Sequence, residues 1–172
     1  MLNRITKISE QILLVIACIS VAIMVVVISA DTLLRYVFNS PLSWAYNLTT
    51  YYLIVICFYF AISATFRDGV HISIDLFRFG MSKNVRLIAD ITWVLLSIIA
   101  FGLIAYANWK SIFETFVQNQ HYEGIISWPV WLSYVPIFVG TCVLIIRLTL
   151  HVIALITKGN DPEVIFDGEQ ST

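Results

Sequence analysis

Residues 11–30 read QILLVIACISVAIMVVVISA, a run of 20 positions without an Asp, Glu, Lys or Arg. Three further runs share that property, 36–66, 91–109 and 124–146, of 31, 19 and 23 residues. The hydrocarbon core of a bilayer, about 30 Å thick, is crossed by about 20 apolar residues of α-helix. Lipid offers the backbone no hydrogen bonds, so a spanning segment must satisfy its own amides, which a helix does within one segment. The four runs therefore predict an all-α integral membrane protein with four transmembrane helices, at approximately 11–34, 41–66, 87–109 and 127–156.

Composition agrees. Hydrophobic residues make up 59% of the chain and charged residues 12%, with a mean hydropathy of +0.87, whereas soluble domains carry about 25% charged residues. Outside the spans the longest pieces are 67–90 and 158–172, too short to build a core of their own, so 1–172 is read as one membrane domain. Arg4 and Lys7 before the first run, and Ile28-Ser29-Ala30 near its end, resemble a cleavable signal. The uncharged run is longer than the roughly 15 residues of a signal core, and three more spans follow, so it reads as a retained first helix.

The ten Lys and Arg residues set the orientation. Arg4 and Lys7 precede the first span, Arg67, Arg78, Lys83 and Arg86 join the second to the third, and Arg147 and Lys158 end the fourth; only Arg35 and Lys110 fall on the opposite side. The bias places both termini and the middle loop in the cytoplasm. Trp44, Trp109, Trp128 and Trp131 then mark the outer ends of their helices, as an interfacial aromatic belt does.

Local chemistry refines the boundaries. Ser40 before Pro41 is an N-cap followed by proline at the first helical position, so the second helix is expected to run from there to Phe66, ending before Gly69. At 1.5 Å per residue those residues extend about 39 Å, more than the hydrocarbon thickness, which predicts tilt. The third helix has no proline between Ser82 and Asn119 and carries an apolar stripe, Ile112, Phe113, Phe116 and Val117, beyond Trp109. It is expected to outrun the membrane, with the stripe packed either on the chain's own loops or on a partner. Ile72, Leu76 and Phe79 have helical spacing and suggest a short interfacial helix in the middle loop. The fourth helix is expected to begin near Ser127 and Pro129 and to kink at Pro136 and Gly140.

Function is bounded first by what the spans lack. A path for a charged solute needs ionisable or polar groups near the midplane, and here these groups lie near the ends. Asp31 and Arg35, four residues apart, are expected to form a local ion pair, and Asp90 to lie at the water boundary. A haem held between helices needs facing histidines, but His71 and His121 fall in loops on opposite sides and only His151 is on a span. Cys18, Cys57 and Cys142 are isolated, one per helix, and read as small buried apolar residues. No glycine-rich phosphate loop, G-x-S-x-G or basic patch is present on a chain of net charge −1. The expectation is a non-enzymatic accessory or scaffold subunit without cofactor, metal or nucleic acid, packed on a partner through Ser63, Ala64, Thr65, Ser97, Gly102, Gly140 and Thr141.

Two stretches, RYVFNSPLSW at 35–44 and RDGVHISID at 67–75, together with Pro129, Trp131, Pro136 and Gly140, resemble the small membrane subunit of tripartite ATP-independent periplasmic (TRAP) transporters. The chain departs from that family's pattern after Trp44, where Ala45, Tyr46 and Asn47 stand in place of the acidic residues common there. The resemblance implies a multi-pass protein of the bacterial inner membrane, paired with a large membrane subunit that moves an organic acid inward on a sodium gradient. A periplasmic binding protein would deliver the cargo, of which sialic acid is one family example. Membrane lipid is a further expected partner, and whether it fills the seam between subunits is left open by the sequence. Polar side chains at fixed spacing beside the spans suggest that Arg35, Asn39 and Trp44 order the outer end of the first two helices and that Arg67, His71 and Asp75 tie the inner loop, while Pro41, Pro129, Trp131, Pro136 and Gly140 are motif residues that carry the resemblance. Self-contained capping by these side chains remains the alternative to direct partner contact. Two other classes stay open: the membrane anchor of a respiratory or quinone-linked complex, and a small exporter acting alone.

Overall fold

A computed structural model of the chain describes residues 2–67 and 83–158. His71, Asp75 and the short helix expected in the middle loop lie outside the described residues, as does the side chain of Arg67. Helix α1 is Leu2–Val37; α2, Ala45–Leu48, continues through a π-helical turn, Thr49–Leu53, into α3, Ile54–Arg67. Helix α4 is Lys83–Val117 and α5 is Trp131–Lys158, with two-residue strands β1, His121–Tyr122, and β2, Trp128–Pro129, between them. Four stretches are long and apolar enough to cross a membrane: Thr6–Val37, Ala45–Phe66, Leu87–Val117 and Trp131–Thr157. The 35 residues of α4 extend about 52 Å, well past a bilayer's apolar core, as its lack of proline suggests.

Two helix starts differ from the sequence expectation. The second span begins at Ala45, not at Ser40-Pro41. Asn39 adopts the left-handed conformation (φ 51°) just past α1, and the Ser40 N–H returns to the Leu34 carbonyl at 3.1 Å. Ser40 therefore closes the first helix instead of opening the second. The Leu42 N–H is held by the Asp31 carboxylate at 2.7 Å, which keeps residues 38–44 as a linker. The fourth span begins at Trp131, because Trp128 and Pro129 pair with the strand before them. Helix α5 carries Pro136 in its interior without a break in the helix.

The helices do not close into a symmetric bundle. Helix α3 lies between α1 and α5, which also meet each other, whereas α4 packs along α5 and makes no comparable contact with α1 or α3. The core follows that order: Leu13 and Ala17 of α1, Leu53 and Ala64 of the second span, and Leu144, Leu148, Val152 and Leu155 of α5 are buried, but of the apolar residues of α4 only Ala105 is. Ile88, Trp93, Leu96, Ile99, Leu103 and Tyr106 of α4 are exposed. Cys18, expected to be buried, also lies on the exposed surface of α1.

The α3–α5 seam is set by small residues. Ser63 and Thr141 are fully enclosed, Ala64 nearly so, and Gly140 is buried. A Cβ on Gly140 would overlap the Tyr59 carbonyl and stand 3.0 Å from the Tyr59 Cβ. The two backbones therefore meet at a distance that only glycine allows, the usual device for packing helices in lipid. Gly102 of α4 differs, having nothing within 4 Å of an added Cβ.

At the end of the chain's helices where Arg4 and Lys7 lie, a carboxylate is buried among three helices. Glu10 of α1 is fully enclosed, its Oε1 accepting a hydrogen bond from the Ser63 hydroxyl of α3 at 2.9 Å and lying 3.8 Å from Nε of Arg147 on α5. Arg147 is itself mostly buried, with 16% of its side chain exposed. One turn further along α5, His151 meets the Phe66 ring edge to face at 5.6 Å and lies within electrostatic reach of Arg147 and Asp90. Both Glu10 and Arg147 fall one residue outside the uncharged runs that define their spans, so the sequence reading gave them no part in the core.

Two outcomes are expected from thermal or denaturant unfolding of the purified chain in micelles. Gly140→Val destabilises by about 1–3 kcal/mol through overpacking against a backbone that cannot yield, while Gly102→Val leaves the transition unchanged; equal effects would separate Gly140 from the seam. Glu10→Ala, which strips a buried partner from Arg147, costs about 3–5 kcal/mol, and Arg147→Met introduced beside it recovers part of that loss.

Candidate functional site

The residues that carry chemistry gather at the end of the molecule opposite Glu10, in an elbow between α1 and the second span and in the hairpin between α4 and α5. The elbow is built around Asp31. Its Oδ2 receives Nη2 of Arg35 at 2.7 Å, one turn along the same helix, and its Oδ1 receives the Leu42 N–H. The carboxylate thus caps the linker while the guanidinium, with 57% of its side chain exposed, faces outward. Asn39 reverses the chain, Pro41 is exposed beyond it, and Trp44, half-buried, accepts the Leu48 N–H on its carbonyl at 3.2 Å in the first turn of the second span.

The hairpin begins where α4 ends. Asn119 takes the left-handed conformation (φ 49°), the Gln120 N–H bonds to the Thr115 carbonyl at 3.0 Å and the Asn119 N–H to that of Phe116 at 3.2 Å, the two bonds of a Schellman cap. Strands β1 and β2 then pair antiparallel, His121 opposite Pro129 and Tyr122 opposite Trp128. The π-helical turn anchors this hairpin through consecutive aromatic residues. Tyr51 stacks on Tyr122 with ring centroids 4.0 Å apart, and Tyr52 lies edge-on to Tyr122 and 5.6 Å from Trp128. The Tyr52 hydroxyl donates to the Pro129 carbonyl at 2.6 Å, and Nδ2 of Asn47 donates to the Glu123 carbonyl at 3.2 Å. Tyr122 closes the set through its hydroxyl, 3.0 Å from that of Ser133 on α5.

In the apolar stripe at the end of α4, Phe113, Phe116 and Val117 are all exposed, though Phe116 meets Trp131 edge-on at 5.6 Å. At the hairpin tip Ile125 is 81% exposed and Ile126 is also exposed. Trp109, at the outer part of α4, meets Phe138 at 5.3 Å.

Arg35, Asn39, Pro41 and Trp44 thus belong to one elbow, joined by Asp31, whose capping of Leu42 the sequence reading did not foresee. Pro129 and Trp131 belong to the hairpin and its junction with α5, and Pro136 and Gly140 to the interior of α5. Asn47 and Tyr52, absent from the sequence-based candidates, are what tie the hairpin to the second span. The signal available was the adjacent Tyr51-Tyr52 pair near the start of the second span. Among the described residues no group of three or more His, Cys, Asp or Glu converges as metal ligands, and His121 and His151 lie in the hairpin and near the far end of α5.

The family model described as "Tripartite ATP-independent periplasmic transporters, DctQ component" matches residues 24–158. That range takes in the outer part of α1, the elbow, α4, the hairpin and all of α5. No curated protein matches the chain. The chain therefore belongs to the DctQ family, the small membrane component of TRAP transporters.

Proposed function

We propose that this chain is the non-catalytic scaffold of a three-part uptake system in the bacterial inner membrane. It pairs with a large membrane subunit, which carries an organic acid inward on a sodium gradient, and its outer elbow and hairpin help seat the periplasmic binding protein. Both termini lie in the cytoplasm in this reading, as the distribution of Lys and Arg argues.

The observation that carries the proposal is the arrangement of helices. Among the described residues α4 lies outside a group of three, and the buried core belongs mainly to α1, the second span and α5, so the four helices do not share one common core. The hydroxyls of Ser20, Thr65, Thr92, Ser97 and Thr141 bond to carbonyls of their own helices, leaving the spans with apolar outer faces suited to another hydrophobic surface. The family adds that the chain is one component of a multi-component transporter. At the hairpin tip, Ile125 offers an apolar contact backed by a rigid aromatic clamp, the kind of positioned anchor that interfaces use.

The test is to co-express the chain with the large membrane subunit and measure purification and uptake together. The expected result is one complex whose sodium-driven, binding-protein-dependent uptake requires both chains, with sialic acid the first cargo to try. Uptake by this chain alone in liposomes would overturn the proposal. Ile125→Glu is expected to leave the two membrane chains together and to raise the concentration of binding protein needed for half-maximal uptake; an unchanged requirement would remove the hairpin tip from docking.

A further inference from the structure

Between the outer end of α1 and the start of the second span lies a cleft of about 440 Å³, within the size range of small-molecule sites. Ile28, Asp31 and Arg35 form one wall, the linker at Leu42 forms the roof, and Thr49 belongs to the opposite wall. The cleft joins three chemistries over a short depth. Outermost is the Arg35 guanidinium, a planar fork of donors of which Nη2 is engaged with Asp31. Innermost on the α1 side is Ile28, which continues into the exposed apolar surface at Val25. Between them is Thr49, 9% exposed, whose hydroxyl is buried with no hydrogen-bond partner.

Among the described residues this is the one buried hydroxyl without a hydrogen-bond partner. Thr32, Thr65, Thr92, Thr141 and Thr149 all bond to the carbonyl four residues earlier. Thr49 stands where the α-helix widens into the π-helical turn, a local irregularity that proteins keep mostly at functional sites. A buried hydroxyl left without a partner is destabilising, and a ligand that reaches it removes that cost.

We infer that this cleft binds one membrane phospholipid, its phosphodiester on Arg35, an ester oxygen accepting from the Thr49 hydroxyl, and an acyl chain along Ile28 and Val25. The order of groups from rim to floor, charge, then one donor, then hydrocarbon, is the order of groups in a glycerophospholipid. Arginine is the side chain best matched to phosphate oxygens. Asp31 does not repel the phosphodiester as a free carboxylate would, because both of its oxygens are already engaged by Arg35 and the Leu42 amide. The inference concerns the chain's own elbow and holds whether or not the large subunit is its partner.

The full-length chain is purified in mild detergent and titrated with phosphatidylethanolamine and, separately, phosphatidylglycerol, with bound lipid counted by native mass spectrometry. One retained phospholipid per chain is expected, with about tenfold weaker retention in Thr49→Val and in Arg35→Gln, a factor that corresponds to about 1.4 kcal/mol. Thr49→Ser, which keeps the hydroxyl, is expected to retain lipid, and Thr32→Val, outside the cleft, to match the unaltered chain. Equal retention in Thr49→Val, or none in the unaltered chain, overturns the inference. Displacement of the lipid by millimolar inorganic phosphate would assign the cleft to a free anion and overturn it equally.

Discussion

The position of every other helix depends on how closely α3 and α5 approach at Gly140. The Tyr59 carbonyl occupies the space in which any other residue would place its Cβ, so the seam tolerates one side chain, hydrogen. In water such a contact would be one among many, because the hydrophobic effect would press the helices together anyway. In lipid that force is absent, and close packing of small residues takes its place. Ser63 and Ala64 of α3 and Thr141 of α5 are small residues buried on the same two helices. Helix α1 is placed by packing on α3, and α4 by packing on α5, so both inherit their positions from this contact.

The polar residues divide between the two ends. At one end Glu10 joins α1 to Ser63 and Arg147, an arrangement that fixes register because a buried charge separated from its partners is far more costly than one that keeps them. At the other end Asp31 ties α1 to the linker, and the hairpin ties α4 and α5 to the second span through Tyr52 and Asn47. Between the ends, the hydroxyls of Thr65, Thr92 and Thr141 serve their own helices. A body pinned at both ends and close-packed in the middle resists deformation, which is what a subunit must do if a neighbour is to move against it.

Much of this was legible in the sequence, and the reasons for the remainder are physical. Four uncharged runs gave the four spans because the solubility of a charge in hydrocarbon is a local property of the chain. The Asp31–Arg35 pair followed from helical spacing, whereas Gly140, expected to pack on a partner, packs within the chain against Tyr59. What escaped was long-range. Ser40 and Pro41 look like a helix start by local rules, yet Asp31, eleven residues before Leu42, takes the Leu42 amide and delays the helix to Ala45. Pro129 looks like a first helical residue, yet its carbonyl and strand position are claimed by Tyr52 and His121. Arg147 appeared only as a flanking charge and Glu10 was not singled out, because nothing local tells that two helix ends, over a hundred residues apart, meet at a third helix. Of the candidate site, the elbow was recognised as a cluster, while the hairpin clamp was not.

The central claim, that this chain acts as a rigid body beside a moving partner, is tested most directly by the distance between its two flanks during transport. Spin labels on the exposed Tyr36 of α1 and Val117 of α4 report that distance by pulsed electron resonance in the assembled complex. The account predicts one distribution, unchanged by sodium, cargo or binding protein. A second, displaced population that appears with sodium and cargo would contradict it and make these helices part of the moving machinery.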